Sequence, residues 1–301
     1  MFKNIIIDTD PGTDDAVAIA AACAFFKDNI CAMVSSYGNV DGEQTYFNLI
    51  NLAGLLKLEC GFYKGMLAPL NGEPAIFTDY HGKNGLCGLE LKSVGSGVVL
   101  NLEKLYELIK KRGNIKYVAV GPLTNTALML ENCADYISEL IIMGGGFEIF
   151  NTEHNTEYNF SMDAAAVKKV LESPVKKIIA PLDLTHQTSF DLCEIEDITG
   201  ISREESKRLA RDSAFAVFTE LFYLNYEASV KYGEPGAIIH DAVTIAYLLD
   251  RNKCGLRECK ISWDEYGAVK KDSSGEPVLI IEKICREFFK EMMKETFSKL
   301  K

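Results

Sequence analysis

The stretch Asp8-Thr9-Asp10-Pro11-Gly12-Thr13-Asp14-Asp15 sets four carboxylates within eight residues, between the apolar run Ile5-Ile6-Ile7 and a second apolar run over 16–26. A buried strand that breaks at a Pro-Gly turn and restarts as a helix delivers such carboxylates to one spot at the carboxyl edge of a sheet. Four like charges there repel strongly unless a cation intervenes, and carboxylate oxygens suit the hard ions Ca²⁺ and Mg²⁺ better than zinc. An EF-hand does not account for the run: counted from Asp8, Gly12 takes the fifth loop position and Ile19 the twelfth, where ligands are required. Capping of the following helix by these aspartates needs one or two of them and leaves the rest unexplained.

The elements that must position this cluster follow from periodicity. Short β-rich apolar runs at 4–8, 30–36, 60–63, 115–120, 140–143 and 177–180 alternate with helical patterns at 14–27, 43–57, 101–111, 124–132 and 163–172. The alternation predicts an α/β fold: a mostly parallel, doubly wound sheet with helices on both faces. Beyond residue 190 the chain turns helix-rich, with helices expected over 213–232 and 241–249. Strands return at 260–263, 266–271 and 278–281 around the turn signal Asp272-Ser273-Ser274-Gly275, predicting a small terminal hairpin before a last amphipathic helix. Polar clusters at 8–15, 36–39, 121–125, 144–146 and 183–186 each follow a strand. All therefore fall on the carboxyl edge, where open α/β sheets bind ligands.

Composition bounds the rest. A chain of 301 residues, 48% hydrophobic and without repeats or low-complexity segments, is expected to fold as one domain over 1–301. Its net charge of −11, with no basic run, argues against nucleic acid or an anionic membrane as partner. Nine cysteines, an odd set without C-x-x-C spacing, read as reduced thiols of a cytoplasmic protein. Met1-Phe2-Lys3-Asn4 run directly into the first expected strand, so no cleavable leader is expected, and the run 16–26 is too short to span a bilayer.

The segment Asp8 to Ala16 resembles the N-terminal signature of the inosine-uridine type nucleoside hydrolases. Val120-Gly121-Pro122-Leu123-Thr124-Asn125, Met143-Gly144-Gly145-Gly146, Glu157-Tyr158-Asn159-Phe160, Leu182-Asp183-Leu184-Thr185-His186 and His240-Asp241-Ala242 resemble its later motifs in the same order, so the likeness spans residues 4 to about 250. The resemblance implies hydrolysis of the N-glycosidic bond of ribonucleosides, in nucleoside salvage, by a homodimer or homotetramer. It implies one Ca²⁺ held by Asp10, Asp15, Asp241 and the carbonyl of Val120, with Asp10 also the general base toward a bound water and inversion the expected course. It assigns the ribose hydroxyls to Asp14, Asn39, Asn151, Glu157, Asn159 and Asp241, with Met143 lining the sugar. A site built on hydroxyl contacts disfavours deoxy sugars, because its buried polar groups are then left unpaired. Taken singly, the three asparagines fit loop or cap roles equally well, and Glu157 and Asn159 share a side only in an extended segment.

On the base side the resemblance places His240 as candidate acid and His81, in a Gly-rich loop, as a second histidine. Phe222 and Tyr226 lie one helical turn apart and fit a base-facing wall or an ordinary helix core equally. His186 reads as structural and His154 as loop surface. Gly144 to Gly146 lack the spacing of a phosphate cradle and suit close backbone approach.

Two other readings stand beside this one. Asp8-Thr9-Asp10 after an apolar strand also resembles the haloacid-dehalogenase phosphohydrolases, with Asp8 as nucleophile, Asp10 as acid/base and Mg²⁺ as cofactor; no later paired acidic segment completes that pattern, and Asp14-Asp15 are unexplained by it. A Ca²⁺-dependent nucleoside-binding protein without turnover would keep the pocket, although Asp10 and His240 are both present.

Overall fold

The apolar runs become the strands of one sheet. In the computed structural model, which describes residues 4–72, 75–92 and 99–301, the first half of the chain alternates strand and helix: β1 (Ile5–Thr9), α1 (Thr13–Phe26), β2 (Ile30–Ser35), α2 (Gly42–Leu55), β3 (Gly61–Lys64), α3 (Leu102–Arg112), β4 (Ile115–Ala119), α4 (Thr124–Cys133) and β5 (Ile137–Met143). There follow α5 (Tyr158–Ser161), α6 (Ala164–Glu172), β6 (Lys177–Ala180), α7 (Leu182–Thr185), α8 (Leu192–Thr199), α9 (Arg203–Arg208), α10 (Ala214–Lys231) and α11 (Ala242–Leu249). The chain closes with β7 (Cys254–Trp263), β8 (Val269–Lys271), β9 (Glu276–Ile284) and α12 (Arg286–Leu300).

The strand order is β3-β2-β1-β4-β5-β6-β9-β7-β8, parallel from β3 through β9 and antiparallel at β7 and β8. This is the expected α/β sheet with its terminal hairpin. The small terminal hairpin is formed by β7 with β8, while the chain beyond the turn at Asp272–Gly275 crosses to the other side of β7, so that β9 inserts between β7 and β6. At ten residues β7 is longer than the strand expected at 260–263. Its first half, Leu256-Arg257-Glu258, is exposed and charged near the sheet edge and carries little apolar signal, yet it pairs with β9 along its length.

Each sheet face has its own core. Ile5, Ile7, Val118, Ile141 and Ile178 point to one side, where α1, α10, α11 and α12 pack; Ile6, Tyr117, Ile142 and Ile179 point to the other, beneath α3, α4 and α6. The run too short to span a bilayer lies in α1, whose residues from Thr13 to Cys23 are all buried. The nine cysteines are free thiols, with Cys193 exposed. No helix among the described residues is long and apolar enough to cross a membrane.

Phe222 resolves its own ambiguity. It is fully buried, stacked on Phe297 of α12 at 5.5 Å and edge-on to Phe190 at 5.9 Å, with Phe190 stacked in turn on Phe289 at 5.6 Å. Phe222→Ala is therefore expected to lower the unfolding free energy by about 3–5 kcal/mol in a denaturant titration. A loss under about 1 kcal/mol, the level of an ordinary substitution, would contradict a keystone role in that stack.

Candidate active site

A cavity of about 400 Å³ opens at the carboxyl edge, within the range of small-ligand sites. Residues at or beyond the carboxyl ends of β1, β2, β4, β5 and β6 reach it: Asp10, Asp14 and Asp15; Asn39; Val120; Met143; and Leu182 with His186. Asn151, Glu157, Asn159, His81, His240 and Asp241 line it as well. Apart from Asp8, Phe222 and Tyr226, every residue singled out as a site candidate thus converges here.

Asp10 is held from two directions. Its Oδ2 accepts the Asn39 backbone N–H at 2.8 Å and its carbonyl accepts Asn39 Nδ2 at 2.9 Å, while its buried Oδ1 has no partner. Two glycines make room for the carboxylate. A Cβ on Gly38 would sit 2.0 Å from Asp10 Oδ2, and one on Gly121 would sit 2.5 Å from Oδ1. Asp15 is fully engaged: it accepts from Thr9 Oγ1, from the N–H groups of Asp10 (3.3 Å) and Gly12 (3.0 Å), and from Asn39 Nδ2 (2.9 Å). Its bond to Gly12 at the start of α1 means that the capping role is real for this one aspartate.

Asp14 and Asp241 are less satisfied. Asp14 Oδ1 and Asp241 Oδ2 are buried without hydrogen bonds, and one oxygen each from Asp14, Asp15 and Asp241 lies within 4.8 Å of the other two. Burial is the main cause that pushes the Asp14 and Asp15 pKa values up to about 6, the Asp14 charge adding to it for Asp15. Asp10 and Asp241 are raised well above the usual carboxylate range by burial and then by the Asp15 charge. A divalent cation removes this conflict, and the donor set of three orphaned carboxylate oxygens beside a strand-end carbonyl is all hard oxygen. These residues fit a metal.

His81 belongs to this cluster more closely than a loop position suggests. It is buried, with Nδ1 accepting from the Thr13 N–H at 3.2 Å and lying 2.9 Å from Thr13 Oγ1, which in turn accepts Asn225 Nδ2 at 3.2 Å. With Nδ1 an acceptor, the proton is on Nε2, which lies 3.5 Å from Asp14 Oδ1. Burial depresses its pKa to about 4.

On the β5 side, Asn159 Nδ2 donates to the carbonyl of Val120 at 2.8 Å and lies 3.4 Å from the carbonyl of Met143. Glu157 and Asn159 meet without an extended segment. Glu157 is the N-cap of α5, and its carboxylate accepts the N–H groups of Asn159 (2.8 Å), Phe160 (3.1 Å) and Gly145 (3.0 Å), while burial raises its pKa to about 7. Asn151 Oδ1 holds the Tyr158 N–H at 2.9 Å. His240 is half-buried and has Nδ1 2.8 Å from Thr185 Oγ1; burial, then His186, lower its pKa to about 3.

Three candidates lie elsewhere. Asp8 faces the opposite side of the sheet, where Asn125 Nδ2 and Tyr117 Oη donate to it at 2.9 Å and Thr126 Oγ1 at 3.4 Å. Burial raises its pKa to about 7, and it is 1% exposed, so it is no nucleophile and the dehalogenase-like reading falls. Phe222 is in the core stack, and Tyr226 packs half-buried against the same core away from the cavity. Both follow the core alternative of the helical stripe. His154 is on the surface, stacked on Tyr266 at 4.1 Å. The sequence reading missed Gly38 and Gly121 as spacers and Tyr158, whose hydroxyl donates to the Gly38 carbonyl at 2.9 Å.

Over residues 5–291 the chain matches the family described as inosine-uridine preferring nucleoside hydrolase. It is 33% identical over 261 residues to the pyrimidine-specific ribonucleoside hydrolase RihA of Salmonella typhimurium, which covers 83% of this chain and 80% of that protein. Among solved structures it is similar to the purine-preferring ribonucleoside hydrolase from Gardnerella vaginalis, with a TM-score of 0.85 at 21% identity over 98% of both chains. The plant nucleoside hydrolase PpNRh1 is also similar, with a TM-score of 0.84 at 23% identity over 97% of this chain and 98% of that one, and both likenesses bear on the fold alone. Together with the cavity these findings define an enzyme, an N-glycosyl hydrolase. The chain belongs to the inosine-uridine preferring nucleoside hydrolase family.

Two outcomes follow from the geometry. Gly38→Ala is expected to displace the Asp10 carboxylate and to lower turnover by about 10²-fold or more with an unchanged circular dichroism spectrum; undiminished turnover would show that the notch has slack. Six buried carboxylates with raised pKa values, Asp8, Asp10, Asp14, Asp15, Glu157 and Asp241, stabilise the metal-free fold only while protonated, so their contribution is lost as pH rises, through about 6 to 7 for Asp8, Asp14, Asp15 and Glu157. His81 and His240, depressed to about 4 and 3, work in the opposite sense between those values and their ordinary one, but are outnumbered. The rise in Tm on adding a divalent cation is therefore expected to grow from pH 5 to pH 8 in calorimetry, and a rise that shrinks over that range would contradict the assignment.

Proposed function

We propose that the protein hydrolyses the N-glycosidic bond of ribonucleosides, releasing ribose and the free nucleobase, with one Ca²⁺ held by Asp10, Asp15, Asp241 and the Val120 carbonyl. The observation that carries this reading is the set of buried, unpartnered oxygens Asp10 Oδ1, Asp14 Oδ1 and Asp241 Oδ2 beside a single cavity. The cation, when bound, offsets the carboxylate charge and makes a neighbouring water more acidic.

The chain's own groups do the rest. Asp10, fixed through Oδ2 by Asn39, is the base that takes a proton from the attacking water through its free Oδ1. The water oxygen bonds to the anomeric carbon as the bond to the base nitrogen breaks, and the acidic walls stabilise the positive charge developing on the sugar. Asp14, Asn39, Asn151, Glu157, Asn159 and Asp241 hold the ribose hydroxyls, with Met143 against the ring. His240 is neutral in the free protein, its Nδ1 2.8 Å from the Thr185 hydroxyl; in the tautomer that takes a hydrogen bond from that hydroxyl, its Nε2–H is available to the charge developing on the departing base. His81 is the second histidine of the base side and steadies Asp14.

No Lys or Arg is among the described residues that line the cavity, so a 5′-phosphate would meet several carboxylates and no lysine or arginine to offset them. Nucleosides rather than nucleotides are the substrates of this reading. Assembly into a dimer or tetramer and a place in nucleoside salvage rest on the family resemblance.

Release of ribose from a nucleoside panel tests the proposal. Asp10→Asn is expected to lower kcat by about 10³-fold with substrate binding retained, and nucleoside 5′-monophosphates are expected to resist cleavage. His240→Ala is expected to cost about 10²-fold on nucleosides and under about tenfold on p-nitrophenyl β-D-ribofuranoside, whose leaving group needs little assistance. Nucleoside binding by the wild-type protein without ribose release would overturn the hydrolytic reading.

A further inference from the structure

The chemistry above leaves one polar pair of the cavity unused. His186 Nδ1 lies 3.4 Å from Glu234 Oε2, with side chains 21% and 31% exposed, and both residues line the cavity beside His240, whose ring centre is 5.7 Å from that of His186. The pair therefore stands beside the histidine that the hydrolase reading assigns to the leaving group.

Glu234 is not a loose surface side chain. The chain leaves α10 through Gly233 at φ +90, the Glu234 N–H donates to the Ser229 carbonyl at 2.9 Å, and Phe190 and Ala237 exchange backbone hydrogen bonds of 2.8 Å just beyond. Ser229 Oγ also meets Tyr80 Oη at 2.7 Å, which ties this corner to the loop that carries His81. A carboxylate mounted in this way accepts hydrogen bonds and donates none.

Resting on the hydrolase reading, we infer that Glu234, oriented by His186, reads the edge of the nucleobase and selects bases that present a ring N–H. Uracil, hypoxanthine and guanine offer such a donor. Cytosine and adenine present a lone pair at the corresponding ring nitrogen, which a carboxylate repels. The preference is about tenfold to a hundredfold, below the limit of a fully buried recognition site because water reaches the pair.

The test compares kcat/KM for uridine with cytidine and for inosine with adenosine, in the wild type and in Glu234→Gln, whose amide both donates and accepts. The ratios do not depend on the fraction of active enzyme, and Glu234→Ala supplies them if the glutamine variant fails to fold. The wild type is expected to favour uridine and inosine by about tenfold or more, and the variant to bring both ratios within about threefold of unity. Equal ratios in wild type and variant, or a wild-type preference for cytidine and adenosine, overturn the inference. Wild-type cleavage of p-nitrophenyl β-D-ribofuranoside separates the two levels: with it, altered expectations fall on Glu234 alone, and without it or any nucleoside cleavage the hydrolase reading fails first.

Discussion

Repulsion among buried carboxylates is the constraint on which this structure depends. Asp10, Asp14, Asp15 and Asp241 are each nearly inaccessible, and they meet where two chain segments more than two hundred residues apart converge. No folded chain concentrates such charge without a compensating partner. Part of the compensation is internal: Gly12, the N-cap of α1, lends its N–H and the helix its positive end, and Asn39 spans Asp10 and Asp15 with one amide. What remains unsatisfied is one oxygen on each of three aspartates, and that remainder is the chemical resource of the proposed site.

The scaffold is arranged so that this remainder cannot relax. Beneath the site, Asp8 gathers Tyr117, Asn125 and Thr126 on the far side of the sheet, and Asn125 also accepts the Met66 N–H at 2.7 Å, locking the strand ends that carry the site residues. Beside it, Gly38 and Gly121 leave space for a carboxylate and nothing larger. Above it, His81 is seated on Thr13 rather than on its own loop. Rigidity of this kind is what a reaction with a developing sugar cation needs, because preformed charges need no reorganisation as the bond breaks.

Much of this was legible in the residues. Apolar runs bounded by Gly, Pro and Asx marked β1 to β6 within a few positions, and the polar clusters behind them landed on one edge because a parallel sheet leaves them no other place. What was not legible depended on distant contacts. A stripe of Phe215, Phe218, Phe222 and Tyr226 has the same period whether it faces a ligand or a core, and only Phe297, from the last helix, settles that Phe222 is core. His81 sits among glycines that signal an exposed turn, yet its burial comes from Thr13, 68 residues earlier. Gly38 and Gly121 look like turn residues until the carboxylate between them is seen. Asp8 shared a run with three site aspartates, and only the strand alternation that pairs it with Ile6 sends it to the other face.

The central claim is that one hard divalent cation replaces protons on this cluster, and isothermal titration of Ca²⁺ into the metal-free protein measures it directly. Run near pH 6 in buffers of different ionisation enthalpy, the titration reads both stoichiometry and proton release. One ion per chain, bound with release of protons and lost in Asp241→Asn, is the expected result. Absence of saturable binding, or binding that releases no protons and survives Asp241→Asn, would contradict it.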